Sequence, residues 1–149
     1  MIPATTERVR AHTHDEINAA IEAETDWRVG LLADDPEGIE LRLEELDEEW
    51  DVERTLEANA ATLAFVGTAL GAGHDRRWLA LPLAVTGFLW QHAVQGWCPP
   101  LPVLRRMGFR TASEIETERA ALKALRGDYA ITVPPGPDRA MRALAAARA

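Results

Sequence analysis

The 149-residue sequence predicts an all-α protein: a two-helix transmembrane hairpin with amphipathic helical extensions at both ends. Three observations predict it. Two runs, 58–73 (ANAATLAFVGTALGAG) and 78–97 (WLALPLAVTGFLWQHAVQGW), hold no charged residue and are separated only by His74-Asp75-Arg76-Arg77. The flanks carry helix caps and apolar residues at helical spacing. Charge is also segregated: residues 1–50 hold fifteen acids against four arginines, a net of −11, whereas 98–149 have a net of +4. Three regions follow: an acidic N-terminal arm (1–50), a hairpin (51–108) closing with Cys98-Pro99, and a C-terminal helical tail (109–149) with a Pro/Gly linker at 128–138.

Residues 1–12 have the composition of a flexible lead, and the lack of an apolar core there predicts no cleaved signal peptide. Thr13 to Glu16 fits a capping box, with a helix following to about Leu32 whose apolar side is Ile17, Ala20, Ile21, Trp27 and Leu31. Asp35 caps a second helix with Pro36 at its first position. There Ile39, Leu43, Leu46 and Trp50 form one stripe, and the rest of the surface is acidic.

The first apolar run reaches about 24 Å as a helix, short of a hydrocarbon core of about 30 Å, so the span is extended back to Val52. Ala60 and Ala64, and Gly67 and Gly71, are pairs of small residues four apart. Such pairs let helix backbones pack closely, either within the hairpin or between two copies, and Asn59 adds an interhelical donor. The second run reaches about 30 Å. Trp78 and Trp97 bracket it, and with Trp50, Arg105 and Arg106 they are the expected interface anchors. Cys98-Pro99-Pro100 ends this helix, and Pro102 starts a short one that stops at Gly108. Thr111 to Glu114 is another capping box, for a helix to Arg126 with Ile115, Leu122 and Leu125 inward and Gly127 as its stop. Asp138 precedes a last helix, RAMRALAAAR. Arg42, Arg54, Arg105, Arg106 and Arg110 on the arms outnumber Arg76 and Arg77 in the turn, which puts both termini in the cytoplasm.

Few residues carry chemistry. Cys98, beside Arg105 and Arg106, is the one candidate nucleophile or sulfur relay, against a simple role as a small residue packing where the helix ends. His92 with Gln91 and Gln95 forms a polar patch near the end of the second run. His12 and His14, followed by Asp15 and Glu16, are the candidate metal ligands, against a simple role in the helix cap. One cysteine excludes an internal disulfide, and an overall charge of −8 excludes nonspecific nucleic-acid binding. No cofactor is implied.

The segment 53–108 resembles the YgaP-like transmembrane domain family, a bacterial inner-membrane module of unknown function. The resemblance rests on Glu53-Arg54, the glycine-bearing first run, Thr86-Gly87, and Gly96-Trp97-Cys98-Pro99 with the apolar-basic segment after it. It implies a bacterial inner-membrane location with the lipid bilayer as a partner. In that family the module occurs alone or fused to a rhodanese domain; no such domain is present here, so sulfur transfer is not carried over. The sequence therefore points to a non-enzymatic membrane accessory subunit, in a homo-oligomer or a larger membrane complex. The alternatives are a thiol enzyme using Cys98, and a soluble helical bundle with the hairpin as its buried core.

Overall fold

The computed structural model describes Ala4, residues 6–129 and residues 136–148; Pro134 and Pro135 of the expected linker lie outside the described residues. These residues form α1 (Asp15–Leu32), α2 (Pro36–Glu48), α3 (Val52–Gly73), α4 (Ala80–Gln95), α5 (Leu101–Arg106), α6 (Ala112–Arg126) and α7 (Arg139–Arg148), with 3-10 turns at Arg10–His12 and Arg76–Leu79. The chain folds as two units. One is Met1–His14 with Asp51–Phe109, the other Asp15–Trp50 with Arg110–Ala149.

In the second unit the acidic arm and the C-terminal tail share one core. Val29 of α1, Ile39, Leu43 and Leu46 of α2, Ile115, Leu122 and Leu125 of α6, and Leu144 of α7 form one buried cluster. Local chemistry sets the helix ends. The Asp35 carboxylate accepts from the Gly38 N–H at 3.1 Å with Pro36 beginning the helix. Thr111 and Glu114 form a reciprocal capping box, and Gly127, at φ 93°, closes α6 in the left-handed conformation that glycine adopts without strain. The stripe on α2 is as expected except that Trp50 lies beyond the helix, 47% exposed. The inward side of α1 differs from expectation: Asn18, Ile21, Thr25 and Val29 are buried, whereas Trp27 and Leu31 are about two-thirds exposed.

The first unit is the hairpin and what packs on its base. The Asp51 side chain caps α3, accepting from Arg54 N–H at 2.6 Å. Asp75 likewise caps the 3-10 turn between the helices. The two helices meet at small residues: a Cβ on Gly67 would lie 2.6 Å from Pro82 Cδ, and one on Gly71 2.5 Å from Leu79 Cδ2. The residues expected as a flexible lead instead include the 3-10 turn, with Val9 2% exposed in a cluster with Val52, Leu56, Cys98, Leu101 and Leu104. Arg8 fastens this segment, pairing with Glu53 at 2.5 Å and donating to the Ala93 carbonyl at 3.0 Å.

Among the described residues no helix is long and apolar enough to cross a membrane. This corrects the expected two-span hairpin, its inner-membrane location and the integral-membrane reading of function. The reasons are local. Of the 22 residues of α3, the first turns carry Glu53, Arg54 and Glu57, and the remainder is rich in Ala, Gly and Thr, residues of modest hydropathy. The second run loses Trp78 and Leu79 to the 3-10 turn, and Gly96, at φ 81°, ends α4 before Trp97. Its 16 residues reach about 24 Å, against a hydrocarbon core of about 30 Å. Of the three readings, the helical bundle fits best, although the outer faces of α3 and α4 remain exposed.

The close approach at Gly67 gives a direct test. Gly67→Val should destabilise the protein by about 1–3 kcal/mol through overpacking. Gly87→Ala, where a Cβ meets open space within α4, should stabilise it by about 0.5–1 kcal/mol. Thermal melts followed by circular dichroism would read both, and equal shifts for the two variants would refute this packing.

Candidate functional site

The single thiol sits where α4 ends. Gly96 carries the chain past Arg8, whose carbonyl oxygen would lie 2.5 Å from a Cβ at that position. Cys98 then turns inward and is 4% exposed. It forms part of the wall of an apolar cavity of about 230 Å³ whose other walls include Leu56, Leu63, Val85, Phe88 and Pro100. Burial pushes the Cys98 thiol up, and a backbone hydrogen bond involving Leu101 offsets this only in part. That direction works against the thiolate which a nucleophile or sulfur relay requires. Of the neighbouring arginines, Arg105 is 1% exposed and donates to the Phe109 carbonyl at 2.9 Å, and Arg106 is exposed.

His92 is 5% exposed, and neither ring nitrogen has a hydrogen-bond partner. Burial, followed by the charge of Arg8, holds it below the usual histidine value against the opposing pull of Glu53 and Glu57. Gln91 is half-buried and Gln95 exposed. His12 and His14 are both exposed, and His12 spends Nδ1 on the Arg8 carbonyl at 2.9 Å. Among the described residues no group of three or more His, Cys, Asp or Glu side chains is placed to hold a metal. Ala60 and Ala64 are half-buried, whereas Gly67 and Gly71 are buried at the α3–α4 contact. Trp78 is 43% exposed in the 3-10 turn and Trp97 is half-buried.

A buried ionic cluster among the described residues was not among the candidates. Glu118 of α6 is fully buried. Arg42 Nε donates to its Oε1 at 2.8 Å, Arg110 donates to its Oε2, and Arg28 lies 3.5 Å from the same oxygen. Glu49 extends the network, accepting two bonds from Arg110 at 2.8 and 2.7 Å and one from Arg42 at 3.3 Å. Burial by itself would raise the Glu118 carboxyl. The hydrogen bonds and charges of Arg42 and Arg110 outweigh that and hold it below its ordinary range. The network ties α1, α2 and the start of α6 together, and every oxygen of Glu118 is occupied by protein, so it is a structural centre rather than a ligand site. A sequence signal did exist: Glu118 is three residues after Ile115 and four before Leu122, inside the inward stripe of α6, where a carboxylate requires cationic partners.

The outer surface of the hairpin is rich in exposed apolar residues. On the hairpin, Phe65 is 76% exposed, Leu83 75% and Trp90 71%. The polar side chains between them turn inward on their own helices. Asn59 donates to Thr55 O, Thr62 to Ala58 O, Thr68 to Ala64 O and Thr86 to Pro82 O, at 2.7–2.9 Å. The outer hairpin thus offers neighbours hydrocarbon and few free donors. No protein-family model, curated protein or solved structure matches this chain.

Two expectations follow. Glu118→Ala removes the buried carboxylate shared by Arg42 and Arg110, leaving Arg110 only the Glu49 carboxylate, and should cost about 3 kcal/mol in chemical denaturation; a loss below about 1 kcal/mol, the scale of a surface pair, would show the network to be incidental. The pH dependence has two windows. His92 has a folded value below its unfolded value of about 6.5, so the unfolded chain binds the extra proton and stability falls as pH drops below about 6.5, by at most about 1.4 kcal/mol per unit. Glu118, also depressed, contributes fully above about 4.3 and loses its contribution as pH falls through its folded value. Denaturation midpoints measured across pH should flatten in the upper window for His92→Leu and in the lower window for Glu118→Gln.

Proposed function

We propose that this chain is a non-enzymatic helical interaction protein that docks another polypeptide on the α3–α4 hairpin. The observation that carries the reading is the hairpin's outer surface: Phe65, Leu83 and Trp90 stand mostly exposed, while the neighbouring threonines and Asn59 bond within their own helices. Large apolar side chains left in water cost about 25 cal/mol per Å², which favours covering them with a partner. The thiol-chemistry alternative is disfavoured by the burial of Cys98 and the upward shift of its thiol. From the resemblance to the YgaP-like module, this reading keeps only the helical hairpin.

Site-specific photo-cross-linking in cells tests the proposal. A benzophenone side chain at Phe65, Leu83 or Trp90 should yield discrete protein adducts, while the same group at Trp27 or Leu31, equally exposed apolar positions on α1, should not. Equal yields at both sets of positions, or none on the hairpin, would overturn the reading.

A further inference from the structure

We propose that the polypeptide docked on the hairpin is a second copy of this chain, paired across one broad face of α3 and α4 as a four-helix bundle. The inference rests on the interaction reading above and names its partner. The argument begins at the helix contact, where Gly67 of α3 meets Pro82 of α4. Each residue advances about 100° around its helix. Two antiparallel right-handed helices turn in opposite senses when viewed from one end. The residues following the contact pair, Thr68 and Leu83, therefore lie on the same broad face. On that face α3 presents Ala61, Ala64, Thr68 and Ala72, at spacings of three, four and four, a shallow row of small side chains that the exposed Glu57 continues, four residues before Ala61, toward the base of the hairpin. Alongside it α4 presents Leu83, Gly87, Trp90 and Val94, at spacings of four, three and four. Here the large side chains stand out, with Leu83 75%, Trp90 71% and Val94 37% exposed.

One face thus carries a projecting row and a recessed row side by side. A two-fold axis running parallel to the helices, in the plane of contact, lays α4 of each copy on α3 of the other. Large residues then meet small ones twice, and the helix pairs across the interface are antiparallel. This is the isologous, self-complementary arrangement that closes after two copies, with the layered packing of a four-helix bundle. An unrelated partner would have to supply both rows in mirror order; a second copy supplies them by symmetry. The size also fits. A face about 24 Å long and two helices wide has a flat area of about 500 Å². Corrugation by side chains brings its accessible area toward the roughly 800 Å² per partner of a specific pair. The only hydroxyls near the seam, Thr68 and Thr86, already donate to Ala64 O and Pro82 O, so closing it strands no donor.

The test is the mass of the full chain in detergent-free solution by sedimentation equilibrium, with circular dichroism as the check on folding. The expected species has twice the 16.4 kDa mass of the chain. Ala61→Trp blocks the recessed row and Trp90→Ala removes the projecting one. Both positions are exposed in the single chain, so helicity should hold while association weakens by about 30-fold or more in each variant. The double variant, which exchanges the large and small residues, should recover part of the loss. A dimer unchanged by either substitution would overturn the proposal. So would a chain that stays monomeric and instead floats with phosphatidylcholine vesicles. A monomer that still gives adducts to a different polypeptide at Phe65, Leu83 or Trp90 overturns the self-pairing but supports the interaction reading, whereas a monomer with no hairpin adducts overturns both.

Discussion

A single buried carboxylate is the constraint on which the second unit depends. Glu118 has no exposure and would be strongly unfavourable alone, yet Arg42 and Arg110 bond it directly, and Arg28 stands at the edge of the cluster. Each arginine comes from a different place: α1, α2, and the residue preceding the Thr111 cap. A hydrophobic cluster tolerates small displacements of its helices, whereas a fork of guanidinium groups on one carboxylate fixes direction as well as distance. The apolar residues of this unit, from Val29 to Leu144, supply most of the burial. The ionic centre selects one arrangement among the several such a cluster would permit.

The hairpin obeys a different constraint. Gly67 and Gly71 bring α4 so near to α3 that even a methyl group would collide with Pro82 or Leu79. Gly67 and Gly71 are used in that contact, and large residues, Phe65, Leu83 and Trp90, are left facing outward beside a row of exposed small ones. A helix apolar on all sides requires cover on all sides. Within the first unit, the Arg8 segment and the Cys98 turn cover only the base, where Val52, Leu56 and Leu101 are buried. Bulky side chains therefore stand in the open next to small ones on the outer hairpin.

Helix termini were the most legible feature of the sequence, because capping is a matter of a few adjacent residues. Asp35-Pro36, Thr111 to Glu114, and Gly127 each act locally and stand where their chemistry placed them. Faces were less legible. Trp27 and Leu31 looked inward on hydrophobicity alone, but α1 buries Asn18 and Thr25 instead, and Thr25 lies 3.4 Å from Arg110 as part of the ionic centre. Membrane crossing was the largest error. Counting uncharged residues gave spans of workable length, but a 3-10 turn and a left-handed glycine removed residues from the ends of the second, and the polar first turns of α3 removed them from the first. The setting of Cys98 was illegible for a related reason: nearness in sequence to Arg105 and Arg106 says nothing of burial, which pushes the thiol up.

The sequence by itself determined that this chain is helical, where most of its helices start and stop, and that its charge is divided between an acidic front and a basic tail. Those properties depend on residues within a turn or two of one another. Only the tertiary structure decided that the acidic arm and the tail share one core, that Glu118 stands at its centre, and that the hairpin turns its bulky side chains outward. The first two depend on groups far apart along the chain, such as Arg42 or Arg28 with Glu118, and the third on how α3 packs against α4. No local pattern encodes which cation reaches which carboxylate once the helices have packed.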